Sequence, residues 1–275
     1  MKKTVLITGC STGFGKTSAL YFASRGWNVV ATMRNTEAGA ELAAVDGVLV
    51  TRLDVQDPAS IKQAVAAGIA RFGRIDALIN NAGFGLFGVF EAMSADKIRE
   101  QFDVNVFGVM DVTRALLPHF RGNKAGTIIN VSSGAGVFTL PMVSLYCASK
   151  FALEGFSESL SYELAPLGIT VKVVEPGGVI STSFGQRSGA EAGQVSALAD
   201  YDAFITATNA VFAQLRSQRL ATEEDVAKVI YDAATDGSDQ LRYVATDDIR
   251  PLVKARRETS EADYMQLMRS QFSMK

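Results

Sequence analysis

The chain has 275 residues, 48% of them apolar, and 27 Lys and Arg balance 29 Asp and Glu to leave a net charge of −2. That length suits one large domain or two small ones, with enough apolar content for a substantial core. The near-neutral balance argues against a nucleic-acid surface or a polybasic membrane patch, and no apolar run approaches the ~18–20 residues of a membrane span, so a cytoplasmic protein with a small-molecule partner is expected. Cys10 and Cys147 offer no disulfide framework, and with His119 the only histidine neither a metal site nor a Ser–His relay is expected.

Along the chain, apolar β-branched runs predict strands at Thr4–Thr8, Asn28–Thr32, Val48–Leu53, Ala77–Asn80, Thr127–Ser132, Ile169–Glu175 and Leu241–Ala245. Helical patterns lie between them, near Gly15–Arg25, Pro58–Phe72, Ala95–Phe120, Tyr146–Ala165 and Thr222–Asp236. Several strands are almost continuously apolar, as strands covered by helices on both faces must be. Strict alternation implies an α/β fold with a parallel, doubly wound sheet of about seven strands and right-handed crossovers. No repeat or linker marks a second domain. Residues 1–246 therefore read as one catalytic domain including a substrate loop at 183–219, with 247–275 as a charged C-terminal extension.

The first strand runs into Thr8-Gly-Cys-Ser-Thr-Gly-Phe-Gly15 and then directly into a helix. Gly9, Gly13 and Gly15, with Ser11, Thr12 and Phe14 between them, occupy a strand-to-helix turn. There a backbone can approach a ligand closely and a helix N-terminus offers free N–H groups to phosphate. The spacing G-x-x-x-G-x-G differs from the usual dinucleotide fingerprint. An NAD site places an acidic residue after the second strand for the ribose 2′-hydroxyl, but Lys16 to Thr36 contains none. Arg34 stands there instead, where a guanidinium would meet a 2′-phosphate, so NADP(H) is predicted over NAD(H).

Tyr146 and Lys150 are four residues apart in a proline-free helical stretch, thirteen residues after Ser133. Residues at i and i+4 share a helix face, and an ammonium beside a phenol favours the phenolate. A phenol ordinarily titrates near ~10, so at about 1.4 kcal/mol per pH unit, making it acidic enough for neutral pH needs roughly 4 kcal/mol. Phe84, Val137, Phe138, Leu140, Met142 and Val143, with Phe184 from the long loop, suggest an apolar substrate pocket that Tyr201 and Phe204 could close.

Together, TGCSTGFG at 8–15, LDV at 53–55, NNAG at 80–83, Asn105 in NVFG, Ser133, YCASK at 146–150 and PGGVIS at 176–181 resemble the short-chain dehydrogenase/reductase family in its single-domain, Rossmann-like form. The likeness spans about Thr4 to Ala245. VLITGCSTGFGK with ATMRN is most similar to the NADP-preferring hydroxysteroid and retinol dehydrogenase branch. The resemblance implies that Tyr146 is the general acid in reduction and the base in oxidation. It implies that Lys150 lowers the tyrosine's pKa and binds the nicotinamide ribose, that Ser133 holds the substrate oxygen, and that Asn105 anchors a proton path. Ser132 is the rival to Ser133; the family spacing to the tyrosine selects Ser133. By the same resemblance Asp54 and Val55 hold the adenine, and Asn80, Asn81, Ala82 and Gly83 line the adenosine ribose side. Pro176, Gly177, Val179 and Ser181 hold the carboxamide, with Thr182 as an alternative to Ser181. Helices of this family pair between subunits, so a homodimer or homotetramer is expected.

The implied activity is hydride exchange between a nicotinamide cofactor and a hydrophobic carbonyl or alcohol, steroid- or retinoid-like. The alternatives are a catalytically idle NADP-binding redox sensor and a sugar-nucleotide epimerase or dehydratase on the same fold, although epimerases carry a larger C-terminal domain.

Overall fold

A computed structural model describes residues 2–179, 198–217 and 221–272. Seven parallel strands form one sheet: β1 (Thr4–Ile7), β2 (Asn28–Met33), β3 (Val48–Arg52), β4 (Ala77–Asn80), β5 (Gly126–Val131), β6 (Ile169–Glu175) and β7 (Arg242–Val244). Their spatial order is β3-β2-β1-β4-β5-β6-β7. The order reverses between β1 and β4, where Val5, Leu6 and Ile7 pair with Ala77, Leu78 and Ile79. Connections leaving these two strands therefore diverge to opposite sides and leave a crevice at their carboxyl ends, the usual ligand position in such sheets.

The helices in chain order are α1 (Gly13–Ser24), the single turn α2 (Ala40–Ala43), α3 (Pro58–Phe72), α4 (Ala95–Phe102), α5 (Gly108–Asn123) and α6 (Ser144–Leu164). They continue with α7 (Asp202–Ser217), α8 (Glu223–Thr235), α9 (Arg250–Glu258) and α10 (Glu261–Phe272). Local chemistry sets the boundaries. Asp57 caps α3 by accepting from the Ala59 and Ser60 N–H groups, Pro58 occupies its first turn, and Gly73 at φ 80° ends it.

Strand residues alternate between two cores. Val5, Ile7, Val29 and Ala31 pack with Phe22 of α1 and Val226 and Ile230 of α8. Leu6, Val30, Leu78 and Ile128 pack with Ile61 of α3, Leu116 of α5 and Leu160 of α6. Both faces are thus covered, as the apolar strand sequences require.

Two expected features come out differently. The single helix expected at Ala95–Phe120 is two helices joined by a π turn at Asp103–Phe107 centred on Asn105. A π turn is inserted where a side chain must leave the helical register, often at a functional position. The 183–219 segment, read as a loop, contains α7. The C-terminal extension forms α9 and α10, whose Val253, Tyr264 and Met268 bury Val137 and Phe138. Among the described residues no helix is long and apolar enough to cross a membrane.

Candidate active site

The carboxyl ends of β1, β2, β4, β5 and β6 deliver the glycine turn, Arg34, the Asn81–Gly83 run, Ser133 and the 176–179 segment to one edge of the sheet. Thr8 fastens the first of these to the third. Its hydroxyl accepts from the Asn81 and Ala82 N–H groups, both at 3.0 Å. Asn81 Nδ2 in turn donates to the Thr8 carbonyl at 2.9 Å and the Gly9 carbonyl at 3.2 Å. A Cβ at Gly9 would lie 2.9 Å from Ala82 Cα, and one at Gly15 would lie 2.5 Å from Asn81 Nδ2. Gly9 also holds φ 74° and Gly13 φ 58°, a region open to glycine. The cradle therefore excludes side chains, and its half-buried Ser11, exposed Thr12 and half-buried Phe14 lead into the N-terminus of α1.

Arg34 is exposed at the end of β2 and, among the described residues, has no ion-pair partner. Nearby, Asp54 is half-buried, with its carboxylate accepting from the Gln56 N–H, and Val55 is buried against α5 at Gly108.

Asn105 faces inward because the π turn places it there. Its Oδ1 accepts from the Phe84 N–H at 3.1 Å, and its Nδ2 donates to the Phe84 carbonyl at 2.8 Å and to Ser149 Oγ at 3.1 Å. Ser149 Oγ donates to the Tyr146 carbonyl at 2.8 Å, so Asn105 is wired to the helix carrying Tyr146 and Lys150. Gln101, fully buried, adds contacts to the Leu86 N–H and the Phe84 carbonyl. Neither Thr8 nor Gln101 was singled out by sequence: Thr8 reads as strand, and Gln101 as a helix surface residue among charges.

Ser133 caps a short turn at Gly134–Gly136, accepting from the Ala135 N–H at 3.1 Å, and its hydroxyl is hydrogen-bonded to Tyr146. Ser132 is buried and its Oγ has no hydrogen-bond partner among the described residues. Lys150 Nζ donates to the Val131 carbonyl at 2.9 Å and lies 5.8 Å from the Tyr146 ring centroid. The expected acidification of the phenol is not seen in this arrangement. Burial of the Tyr146 hydroxyl pushes its pKa up to about 12, and the Ser133 hydrogen bond only partly opposes this. Burial likewise drives Lys150 down to about 8, with Glu154 opposing. Desolvation favours the neutral form of each relative to water, which leaves Tyr146 neutral and Lys150 still mostly protonated at neutral pH.

The Pro176–Val179 segment is held by Thr246 after β7 and by Asp248 at the start of the C-terminal extension. Gly177 N–H donates to Thr246 Oγ1 at 2.8 Å and Gly178 N–H to Asp248 Oδ2 at 3.2 Å. Ser181, Thr182 and Phe184 lie outside the described residues.

Of the apolar pocket residues, Phe84 (1% exposed) packs with Leu86 and Leu145, while Phe138 (3%) packs against α9 and α10. Both are buried core side chains. Val143 is half-buried. Met142, at an uncommon φ of 60°, does line a cavity of about 450 Å³ with Gly88–Glu91, Ser144, Tyr201 and Phe204. Its walls are connections leaving β4, β5 and β6. The Tyr201 hydroxyl donates to Glu91 Oε2 at 2.9 Å, making one polar spot in an otherwise mainly apolar lining. Cys147 is buried, and His119 accepts from the Ile75 N–H, so both are structural.

The family model for short chain dehydrogenase matches residues 3–192. The chain belongs to the short-chain dehydrogenase family. Among relatives of this short-chain dehydrogenase, human 17-beta-hydroxysteroid dehydrogenase type 1 is 35% identical over 268 residues, covering 93% of this chain and 81% of the relative. A solved short-chain dehydrogenase/reductase of Burkholderia phymatum in complex with NAD is 28% identical, with a TM-score of 0.80 over 94% of this chain and 93% of that one. ElxO with NADP bound is also 28% identical, with a TM-score of 0.73 over 89% and 98% of the two chains.

Proposed function

We propose that this short-chain dehydrogenase is an NADP(H)-dependent oxidoreductase that interconverts a ketone or aldehyde and an alcohol, acting on a hydrophobic, steroid- or retinoid-like substrate. The observation that carries this reading is the hydrogen-bonded Ser133–Tyr146 pair with Lys150 one turn away, at the same sheet edge as the glycine cradle.

The cradle fits a dinucleotide: it leaves no room for a Cβ at Gly9 or Gly15 and opens onto a helix N-terminus, which suits a pyrophosphate. Gly9, Ser11, Thr12, Gly13, Phe14 and Gly15 would hold that group. Asp54 and Val55 would hold the adenine, and Asn81, Ala82 and Gly83 the adjoining ribose. Pro176, Gly177 and Val179, with Ser181, would hold the carboxamide. Relatives carry NAD in one structure and NADP in another. The exposed Arg34, without an ion-pair partner among the described residues, favours the 2′-phosphate form here, because a guanidinium makes strong charge-assisted bonds to phosphate. When bound, the nicotinamide supplies or accepts the hydride.

The protein's part is orientation and proton management. Ser133 and Tyr146 both donate to the substrate oxygen, and their hydrogen bonds strengthen as negative charge develops there. A Tyr146 held neutral has a proton to give in reduction. Lys150 keeps a positive charge beside it, and Asn105 holds the 84 backbone and Ser149 around the lysine's helix. The apolar cavity under Met142 and Phe204 supports a hydrophobic substrate, with Glu91 and Tyr201 as its polar contact. Residues 1–246 form the catalytic unit and 247–275 an extension that braces it. The exposed Phe107, Phe151 and Tyr162 on the π turn and α6 favour a homodimer or homotetramer.

The test is NADPH consumption against a panel of ketones, aldehydes and steroids, with Tyr146→Phe as control. The variant should lose turnover by at least ~10²-fold, the usual contribution of a positioned acid, while binding NADPH nearly as well. Near-normal activity in that variant would refute the assignment.

A further inference from the structure

Lys150 and Glu154 lie one turn apart on the same face of α6, and from Glu154 a line of alternating charges leads away from the site. Glu154 Oε2 accepts from Arg242 Nε at 2.9 Å. The same guanidinium donates to Glu158 at 2.5 Å and stands 3.7 Å from Glu175 Oε1. Glu175 is fully buried at the end of β6, immediately before Pro176, and Arg257 of α9 donates to it at 2.5 Å. The order from the active centre outward is Lys150, Glu154, Arg242, Glu175, Arg257, and the last belongs to the C-terminal extension.

These charges are confined. A Cβ at Gly136 would meet Ser132 Oγ at 2.7 Å and Glu154 Cγ at 3.0 Å, so the turn after β5 presses directly on the Glu154 side chain. Glu154 Oε1 and Glu175 Oε2 are buried without a hydrogen-bond partner among the described residues. A buried carboxylate with an unfilled oxygen is destabilising, so stability is a poor reason for its presence. Two cations benefit from the negative charge here: Arg242, which Glu154 bonds directly, and the buried ammonium one turn away on α6.

We propose that Glu154 is a positioning residue for Lys150, a buried carboxylate one helical turn away that keeps its ammonium charged. The proposal rests on the catalytic role given to Lys150 above. Among the described residues, the other groups facing Lys150 Nζ are uncharged: the Val131 carbonyl, the Tyr146 ring, and Asn105 beyond Gly83. Glu154 faces Arg242, Glu158 and Glu175. Burial pulls the Lys150 pKa down and Glu154 resists it. Removing Glu154's charge therefore lets Lys150 go neutral at lower pH. Removing Arg257 subtracts a distant positive charge instead, which does not favour a neutral lysine.

The experiment is a pH titration of the full-length protein labelled with ε-¹³C lysine, the Lys150 signal being identified by its loss in Lys150→Met. Glu154→Gln should lower the Lys150 midpoint by about one pH unit, a tenfold loss of ammonium at a given alkaline pH. Glu154→Asp should restore most of it, and Arg257→Gln should leave it unchanged or raised. The alkaline limb of kcat should follow the midpoint, with KM for the carbonyl nearly constant. An unshifted midpoint in Glu154→Gln, or equal downward shifts in Glu154→Gln and Arg257→Gln, would overturn the proposal. A shifted midpoint in a protein that turns over no member of the carbonyl panel would overturn the catalytic reading instead.

Discussion

Replacing Lys150 with Met should stabilise the protein at neutral pH while destroying its activity. Lys150 is 6% exposed, and burial lowers its pKa from the ordinary 10.5 to about 8. The unfolded chain therefore holds this proton more tightly than the folded one. Below pH 8 both states carry the charge and the folded state bears the full cost, about 3 kcal/mol by linkage. Between about 8 and 10.5 the folded lysine is already neutral and the unfolded one still charged, so stability rises with pH and the cost fades. Met removes the charge and keeps most of the apolar volume. It also removes the hydrogen bond to the Val131 carbonyl, which offsets the gain by a fixed ~1–3 kcal/mol. The pH-dependent part is free of that offset, and it also excludes Tyr146, which is present in both proteins. Urea denaturation of wild type and Lys150→Met at pH 7 and pH 9.5 should show their stability difference moving by about 2 kcal/mol in favour of wild type. A difference that stays constant across this window would refute the claim that the folded protein holds a strained ammonium.

Arg34→Glu should weaken NADPH binding by about 10- to 100-fold, the worth of one charge-assisted bond at ~1.5–3 kcal/mol, with a smaller effect on NADH; fluorescence titration with both cofactors checks it, and unchanged NADPH affinity would remove Arg34 from the site. Gly15→Ala should cost ~1–3 kcal/mol through its collision with Asn81 and the Gly9 backbone, and should weaken dinucleotide binding at least ~10-fold because the cradle must open. Thermal denaturation with and without NADPH reads both effects, and wild-type behaviour in both would show the turn to be less tightly packed than described.

Much of this protein follows from its order of residues alone. The alternation of apolar strands with helical stretches dictates a parallel, doubly covered sheet, because no other arrangement buries strands such as Val5-Leu6-Ile7 on both faces. The glycine turn and the Tyr146–Lys150 spacing are equally local, since each depends on backbone geometry within a few residues. Other features depend on partners far apart in the chain. The π turn that aims Asn105 inward is held by Phe84 and Ser149, 21 and 44 positions away, and nothing in DVNVF announces it. The direction of the Tyr146 shift is set by how much water the packed site excludes, which spacing does not encode, and burial outweighs the Ser133 hydrogen bond. The C-terminal extension reads as a charged appendage, yet Arg257 reaches Glu175 across 82 residues and Tyr264 and Met268 pack on Val137 and Phe138. Short-range geometry is written in neighbouring residues; desolvation and long-range charge pairing exist only once the sheet has brought distant segments together.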